Sequence, residues 1–209
     1  MLRILIADDH TIVRKGLIQI LQEDFSNAVI EEVQDAEELI KKVMADRWDV
    51  VISDLSMPGR SGLEALQQIK LSFPDLPVLI LSIHPEEQYA LRALKAGAAG
   101  YLSKDTAPDE LVKAVQKVLL GKKYISQSIA ERLANNISSN YNNNPHENLS
   151  DREFDVMKLL ANGKSVSEIA EMLHLSVTTV STYRARIMGK MKLKSNSDLT
   201  KYAIENNLI

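Results

Sequence analysis

Two periodicities alternate over the first 120 residues. Short apolar runs rich in Val, Ile and Leu occur at Leu2–Ala7, Val29–Val33, Val50–Ser53, Val78–Leu81 and Gly100–Leu102. Stretches with helical spacing follow each of them, at Ile12–Gln22, Ala36–Ala45, Ser61–Ser72, Glu86–Ala96 and Pro108–Leu120. In the last stretch Leu111, Val112, Val115, Val118 and Leu119 recur at intervals of three and four, one face of a helix. Three of the strand runs are continuous rather than alternating, the pattern of strands covered on both faces. Five β–α units predict an α/β fold, an open doubly wound parallel sheet of five strands with helices on both sides. The first strand is expected at its centre. Ligands of such sheets bind beyond the carboxyl ends of the strands.

The pattern changes after Gly121. Residues 122–134 have room for one short helix, and 135–148 hold seven asparagines in fourteen positions, with Ser138, Ser139 and Pro145. So little of that stretch can be buried that it is expected to be a tether. From Leu149 onward the spacing is helical throughout. Ser150 with Glu153 three residues later forms a capping-box signature, predicting a helix to Asn162 that stops at Gly163. A second helix is expected over about Ser167–Leu173. Ser176 caps a third running to about Lys192, and Ser197 opens a fourth ending near Asn206. Four helices with a tight turn between the middle pair predict a second, smaller all-α helix-turn-helix domain. The expected division is 1–121, a linker over 122–148, and 149–209.

Charge sharpens that division. The net charge is −3, but residues 1–121 carry 13 basic against 19 acidic side chains and residues 150–209 carry 9 against 7. Within 176–201 six basic residues (Arg184, Arg186, Lys190, Lys192, Lys194, Lys201) face a single acid, Asp198. An acidic front and a locally basic back imply different partners for the two halves, with nucleic acid a candidate for the second. The absence of cysteine removes disulfide scaffolds, thiolate metal sites and thiol catalysis. No apolar run approaches the ~18 residues of a membrane span, and Leu2–Ala7 is too short for a secretory core. A soluble protein with no membrane partner is expected.

Candidate chemistry lies at the strand ends. Asp8 and Asp9 follow the first strand, Asp54 closes the third, Ser82 ends the fourth and Lys104 lies just past the fifth. Clustered carboxylates make a hard-oxygen site suited to Mg2+. A divalent cation beside a lysine offsets the mutual repulsion of three acids. A carboxylate at Asp54 is a competent nucleophile toward a phosphoryl group, with the cation and Lys104 stabilising charge on the transferring oxygens. Any one of these acids alone is also explained as a turn residue; the five positions together are not. The four histidines, His10, His84, His146 and His174, share no ligand spacing. With only eight glycines and no phosphate-cradling loop, an ATP-using enzyme is not indicated.

These residues carry a resemblance. Ala7-Asp8-Asp9-His10, Ser53 to Gly59, Leu81-Ser82 and Gly100 to Lys104 resemble the flavodoxin-like receiver domain of bacterial two-component response regulators. Leu149 to Glu153, Ile169-Ala170, Ser176 to Val180 and Lys190-Met191 resemble the LuxR-type helix-turn-helix, and together the two sets are similar to the NarL/FixJ subfamily. The resemblance implies that Asp54 accepts phosphate from a sensor histidine kinase. Asp9 and Asp54 would bind Mg2+ through carboxylates, Ser56 through its backbone carbonyl and Asp8 mainly through bound water. Lys104 would pair with the phosphoryl group, Ser82 would turn its hydroxyl to it, and Tyr101 would follow by changing rotamer. Ile83 departs from the pattern, being bulkier than the small residue many receivers carry there, and bears on phosphate access and lifetime.

In the third helix of the second domain, residues from the first turns contact base edges in such modules. Candidates for DNA contact are Thr178, Thr179, Ser181, Thr182, Ala185 and Arg186, with Arg184 and Lys190 as phosphate clamps. Val177, Val180, Ile187 and Met191 form the expected buried stripe. Ser181 stands where many relatives carry lysine, so their base preference does not transfer. The expected protein is a cytoplasmic DNA-binding transcription regulator switched by phosphorylation, acting on double-stranded DNA as a homodimer, and not a metabolic enzyme. A free phosphatase using Asp54, and an interaction module that ignores phosphate, are the alternatives.

Overall fold

A computed structural model describes residues 1–127, 129–131 and 144–209. They fall into two compact units, one within Met1–Asn135 and one within Asn136–Ile209.

The first unit is the expected five-stranded parallel sheet. Its strands are β1 (Arg3–Ala7), β2 (Val29–Val33), β3 (Val50–Asp54), β4 (Val78–Ser82) and β5 (Gly100–Ser103). Their order is β2-β1-β3-β4-β5, so β3 and not β1 is central. The reason is burial: β3 and β4 are buried at every position, whereas β2 carries Glu31 and Glu32 at an edge. There Glu31 pairs with Arg3 and Lys42, and Glu32 with Arg14 and Lys15. The connecting helices are α1 (Thr11–Asp24), α2 (Ala36–Ala45), α3 (Gly62–Ser72), α4 (Glu86–Lys95) and α5 (Ala107–Leu119). On α5, Leu111, Ala114, Val115 and Val118 are buried against Ile4, Ile6, Ile52 and Leu79.

The start of α3 fixes the local geometry. Ser61 and Glu64 exchange backbone and side-chain hydrogen bonds in a capping box that opens α3. Gly62 then runs so close to the strand that a Cβ there would lie 1.9 Å from the Asp54 carbonyl oxygen. The α3 start can therefore pass beneath the end of β3 only with glycine at this position.

The second unit holds α6 (Asp151–Ala161), α7 (Val166–Met172), α8 (Val177–Met191) and α9 (Asn196–Glu205). Ser150, Ser165, Ser176 and Ser195 are their N-caps. The N-cap of the last helix thus lies two residues before the expected Ser197, because Ser195 accepts from the Asp198 amide while the Asp198 side chain reaches back to the Ser195 amide. Gly163, with φ +81°, ends the first helix as expected. Helix α6 packs on α8 and α9, and α7 on α8. Phe154, Val156, Met157, Ile169, Val180, Ile187, Leu199 and Ala203 fill the centre. Val177 is not in the stripe: it is half exposed, since it occupies the first helical position, outside the packed face.

Residues at both ends of the expected linker of 122–148 are hydrogen-bonded to the unit beside them. The Tyr124 amide donates to the Ala99 carbonyl and Lys123 Nζ to the Ala98 carbonyl, tying these residues to the first unit. Pro145–Asn148 forms a 3-10 turn whose His146 Nδ1 lies 2.8 Å from the Tyr202 hydroxyl on α9. Of the short helix expected within 122–134, residues 127 and 129–131 are helical; 132–143, the greater part of the asparagine-rich stretch, lies outside the described residues.

Candidate phosphoacceptor pocket and DNA-facing helix

The parallel register brings the expected residues to one edge. Ala7 lies opposite Ser53, Asp54 opposite Leu81, and Ser82 opposite Ser103. Asp8, Asp54, Ser82 and Lys104 therefore all emerge at the carboxyl end of the sheet. Asp8 and Asp54 lie where the chain order reverses between β1 and β3, the position at which open α/β sheets hold ligands.

Lys104 Nζ sits between two carboxylates, 2.7 Å from Asp8 Oδ2 and 2.9 Å from Asp54 Oδ2. Asp8 is 1% exposed and Asp54 3%. Burial pushes the Asp54 carboxyl up to about 6, against the pull of the Lys104 ammonium and of the Ser56 amide that donates to it. Burial also works against the Lys104 charge, but its pairs with Asp8 and Asp54 win and hold its pKa above the ordinary lysine value. The site is a buried ionic cluster whose negative charge exceeds its positive charge.

Two buried oxygens of this cluster, Asp8 Oδ2 and Asp9 Oδ1, accept no well-directed hydrogen bond; Asp8 Oδ2 meets Lys104 as an ion pair. One ligand atom from each of Asp8, Asp9, His10 and Asp54 can be chosen with all of them within 4.8 Å of one another. Underused carboxylate oxygens at this spacing are the donor set a hard divalent cation takes, so the pocket fits one.

The β4 side of the pocket is built around a residue the sequence did not single out. His84 Nε2 lies 2.8 Å from Ser56 Oγ, joining the loops after β3 and β4. The His84 amide donates to Ser82 Oγ at 3.0 Å, and the Tyr101 hydroxyl donates to the His84 carbonyl at 3.0 Å. His84 also stacks on Tyr89, ring centroids 4.8 Å apart. Tyr101 is turned inward, 2% exposed, and its buried phenol is pushed up to about 12. Ser82 and Tyr101 are thus connected through one backbone segment. A histidine just ahead of a helix gives no sequence signal for this. Ile83 points outward and is largely exposed.

In the second unit, Thr178, Ser181, Thr182, Ala185 and Arg186 are exposed on α8 and Thr179 is half-buried. Ser176, Thr178, Thr179, Thr182, Tyr183 and Arg186 line one concave patch. Two hydroxyls are already engaged: Thr179 Oγ1 with Ser176 Oγ at 2.7 Å, and Thr182 Oγ1 with the Thr178 carbonyl at 2.9 Å. Arg184 Nε donates to Asn196 Oδ1 at 3.0 Å. Lys190 is exposed, and its Nζ is 2.6 Å from Glu153 Oε2, on a side chain 3% exposed. Burial works against the Glu153 charge, but Lys190 and Ser150 overcome it and hold the carboxyl below its ordinary value.

An acidic pocket with a bridging lysine at the switch point of a 2-1-3-4-5 sheet, followed by a four-helix unit containing a helix-turn-helix, defines a signalling receiver joined to a DNA-binding module. The response regulator receiver domain family matches residues 4–116, and the LuxR family of bacterial regulatory proteins matches residues 147–203. The chain belongs to the response regulators of NarL/FixJ type.

It is 38% identical over 209 residues to the response regulator UvrY of Escherichia coli K12, covering all of this chain and 96% of that protein. It is 39% identical over 215 residues to the oxygen regulatory protein NreC of Staphylococcus carnosus, covering all of this chain and 99% of that one. Among solved structures, RcsB of Salmonella typhimurium matches with TM-score 0.58 and 31% identity over 98% of this chain and 100% of that one. RcsB bound to a promoter in the presence of the phosphomimetic BeF3− matches with TM-score 0.60 and 31% identity, covering 96% and 97%. The protein is accordingly a regulator of transcription and not a free phosphatase. Among the described residues no helix is long and apolar enough to cross a membrane.

Proposed function

We propose that Asp54 takes a phosphoryl group from a sensor histidine kinase and that this controls the binding of α8 to double-stranded DNA. The observation that carries the proposal is the Lys104 ammonium held between the buried carboxylates of Asp8 and Asp54. An Asp54 oxygen attacks phosphorus as the donor's N–P bond breaks, leaving an acyl phosphate on Asp54 and a neutral imidazole on the donor. Lys104 is already placed to follow the phosphoryl oxygens, and its loss of contact with the Asp54 carboxylate leaves it free to bind them. The Asp9 and Asp54 carboxylates and the Ser56 carbonyl would hold Mg2+, with Asp8 acting mainly through water, and the ion would supply positive charge to the oxygens being transferred.

Ser82 gives its hydroxyl to the new phosphoryl group. That hydroxyl now accepts from the His84 amide, so its rotation disturbs the segment whose carbonyl holds Tyr101. The switch is thereby passed from Ser82 to Tyr101 through the His84 backbone. Thr178, Thr179, Ser181, Thr182, Ala185 and Arg186 face DNA, with Arg184 and Lys190 against the phosphates, as a homodimer in the cytoplasm. RcsB, a relative of the same architecture, binds a promoter in the presence of a phosphomimetic, which supports the same coupling here. The domain division proposed is 1–121, a linker over 122–148, and 149–209.

Acetyl phosphate with Mg2+ adds one phosphoryl group to the protein and none to Asp54→Asn, read by intact mass. Equal labelling of both proteins removes Asp54 from the role. Labelling with no change in DNA affinity instead favours an interaction module that ignores phosphate.

A further inference from the structure

The pocket contains a side chain that a magnesium site has no need of. His10 is the residue before α1 and holds the N-cap position, yet its side chain makes no capping hydrogen bond. Its backbone amide instead donates to Asp8 Oδ1 at 2.8 Å, which turns the residue toward the carboxylates. His10 Nδ1 then lies 2.7 Å from Asp9 Oδ1 and 3.4 Å from Asp8 Oδ1. The 2.7 Å contact pairs an exposed imidazole with the Asp9 carboxylate at the rim of the pocket. A cation entering the pocket can take both of these donor atoms in place of their mutual contact. One donor atom each from Asp8, Asp9, His10 and Asp54 lies within a 4.8 Å span.

We propose that His10 is a fourth protein ligand of this pocket, biasing it toward late first-row divalent cations such as Co2+, Ni2+ and Zn2+ relative to Mg2+. The inference rests on the acidic pocket being a cation site. Mg2+ prefers oxygen and keeps several waters, so it has little use for an imidazole. Late first-row ions bind imidazole nitrogen well, and site affinity rises along that row toward copper. A site of three carboxylates and one imidazole therefore discriminates by its nitrogen. The pocket becomes one that such cations enter in competition with Mg2+, which links the availability of those metals to the state of the receiver.

The test uses the full-length protein and His10→Asn. Asparagine is among the best N-cap residues, so the variant retains the start of α1. X-ray absorption on protein loaded with less than one equivalent of Co2+ shows the multiple scattering of a coordinated imidazole in the parent and not in His10→Asn. In competition dialysis the Co2+ to Mg2+ affinity ratio falls about tenfold in the variant, the scale expected for losing a metal-supporting group. Absence of imidazole scattering in the parent, or equal ratios in the two proteins, overturns the proposal. If Asp54 is still phosphorylated with Mg2+ in that case, the phosphoacceptor reading stands and only His10 loses its role. If neither cation binds the parent, both readings fall together.

Discussion

Lys190 is bound to Glu153: its Nζ lies 2.6 Å from Oε2 of a carboxylate that is 3% exposed. The same Oε2 accepts from the Ser150 amide at 2.7 Å, closing the capping box of α6. One carboxylate thus joins the start of α6 to the last turn of α8, and so holds the reading helix in its place on the domain.

Replacing Lys190 by methionine leaves that carboxylate buried without its cation. The expected loss is about 1–3 kcal/mol of stability in the second unit, measured by urea denaturation. The pH dependence has a definite sign. The Glu153 pKa is lowered from an ordinary 4.5, so its stabilisation is complete above that value and disappears as pH falls through the lower folded value. Lys190→Met removes much of the cause of the lowering. Its stability curve below about pH 5 is therefore flatter than that of the parent, and parallel curves would show that the pair contributes nothing.

DNA binding separates positioning from reading. Arg184 lies on α8 with its Nε donating to Asn196 Oδ1, and Arg184→Ala is expected to weaken all duplexes alike and to reduce the slope of log K against log salt by about 0.9. Ser181→Lys is expected to change which sequence is preferred. Titrations between about 50 and 200 mM salt on specific and random duplexes check both outcomes. A sequence-selective loss in Arg184→Ala would move that residue from the backbone to a base edge.

Gly62→Ala is expected to be among the most damaging single-methyl changes in the first unit. The added carbon meets the Asp54 carbonyl at 1.9 Å, and the obstacle is backbone, so the α3 start must move away from β3. A loss of about 1–3 kcal/mol is the usual scale of overpacking. Phosphorylation of Asp54 is expected to slow with it, and denaturation together with intact-mass labelling reads both. A variant as stable and as readily labelled as the parent would contradict the close approach.

Tyr101→Phe removes the hydroxyl that donates to the His84 carbonyl. About 1 kcal/mol of stability is at stake. Labelling of Asp54 is expected to persist while the gain in DNA affinity on phosphorylation shrinks. Footprinting with and without acetyl phosphate measures it, and an undiminished gain would take Tyr101 out of the relay.

Much of this architecture is local and legible along the chain. Continuous apolar runs, the 3.6-residue spacing on α5, and the serines at 61, 150 and 176 each act within a few residues, so they specify strands, faces and helix starts without the rest of the molecule. Strand ends also tell where Asp8, Asp9, Asp54, Ser82 and Lys104 have to gather, because a parallel sheet aligns its carboxyl ends whatever the strand order. That order is not legible. Placing β3 in the centre depends on which faces find cover, a property of the packed sheet and not of any one run. The same limit applies to the site. That His10 turns toward the acids, that His84 joins Ser56 to Tyr101, and that Lys190 is held by Glu153 37 residues away are contacts between distant positions. Each is set by burial, which makes a charge or polar group seek the nearest partner the fold supplies, and the identity of that partner exists only once the helices and strands have packed.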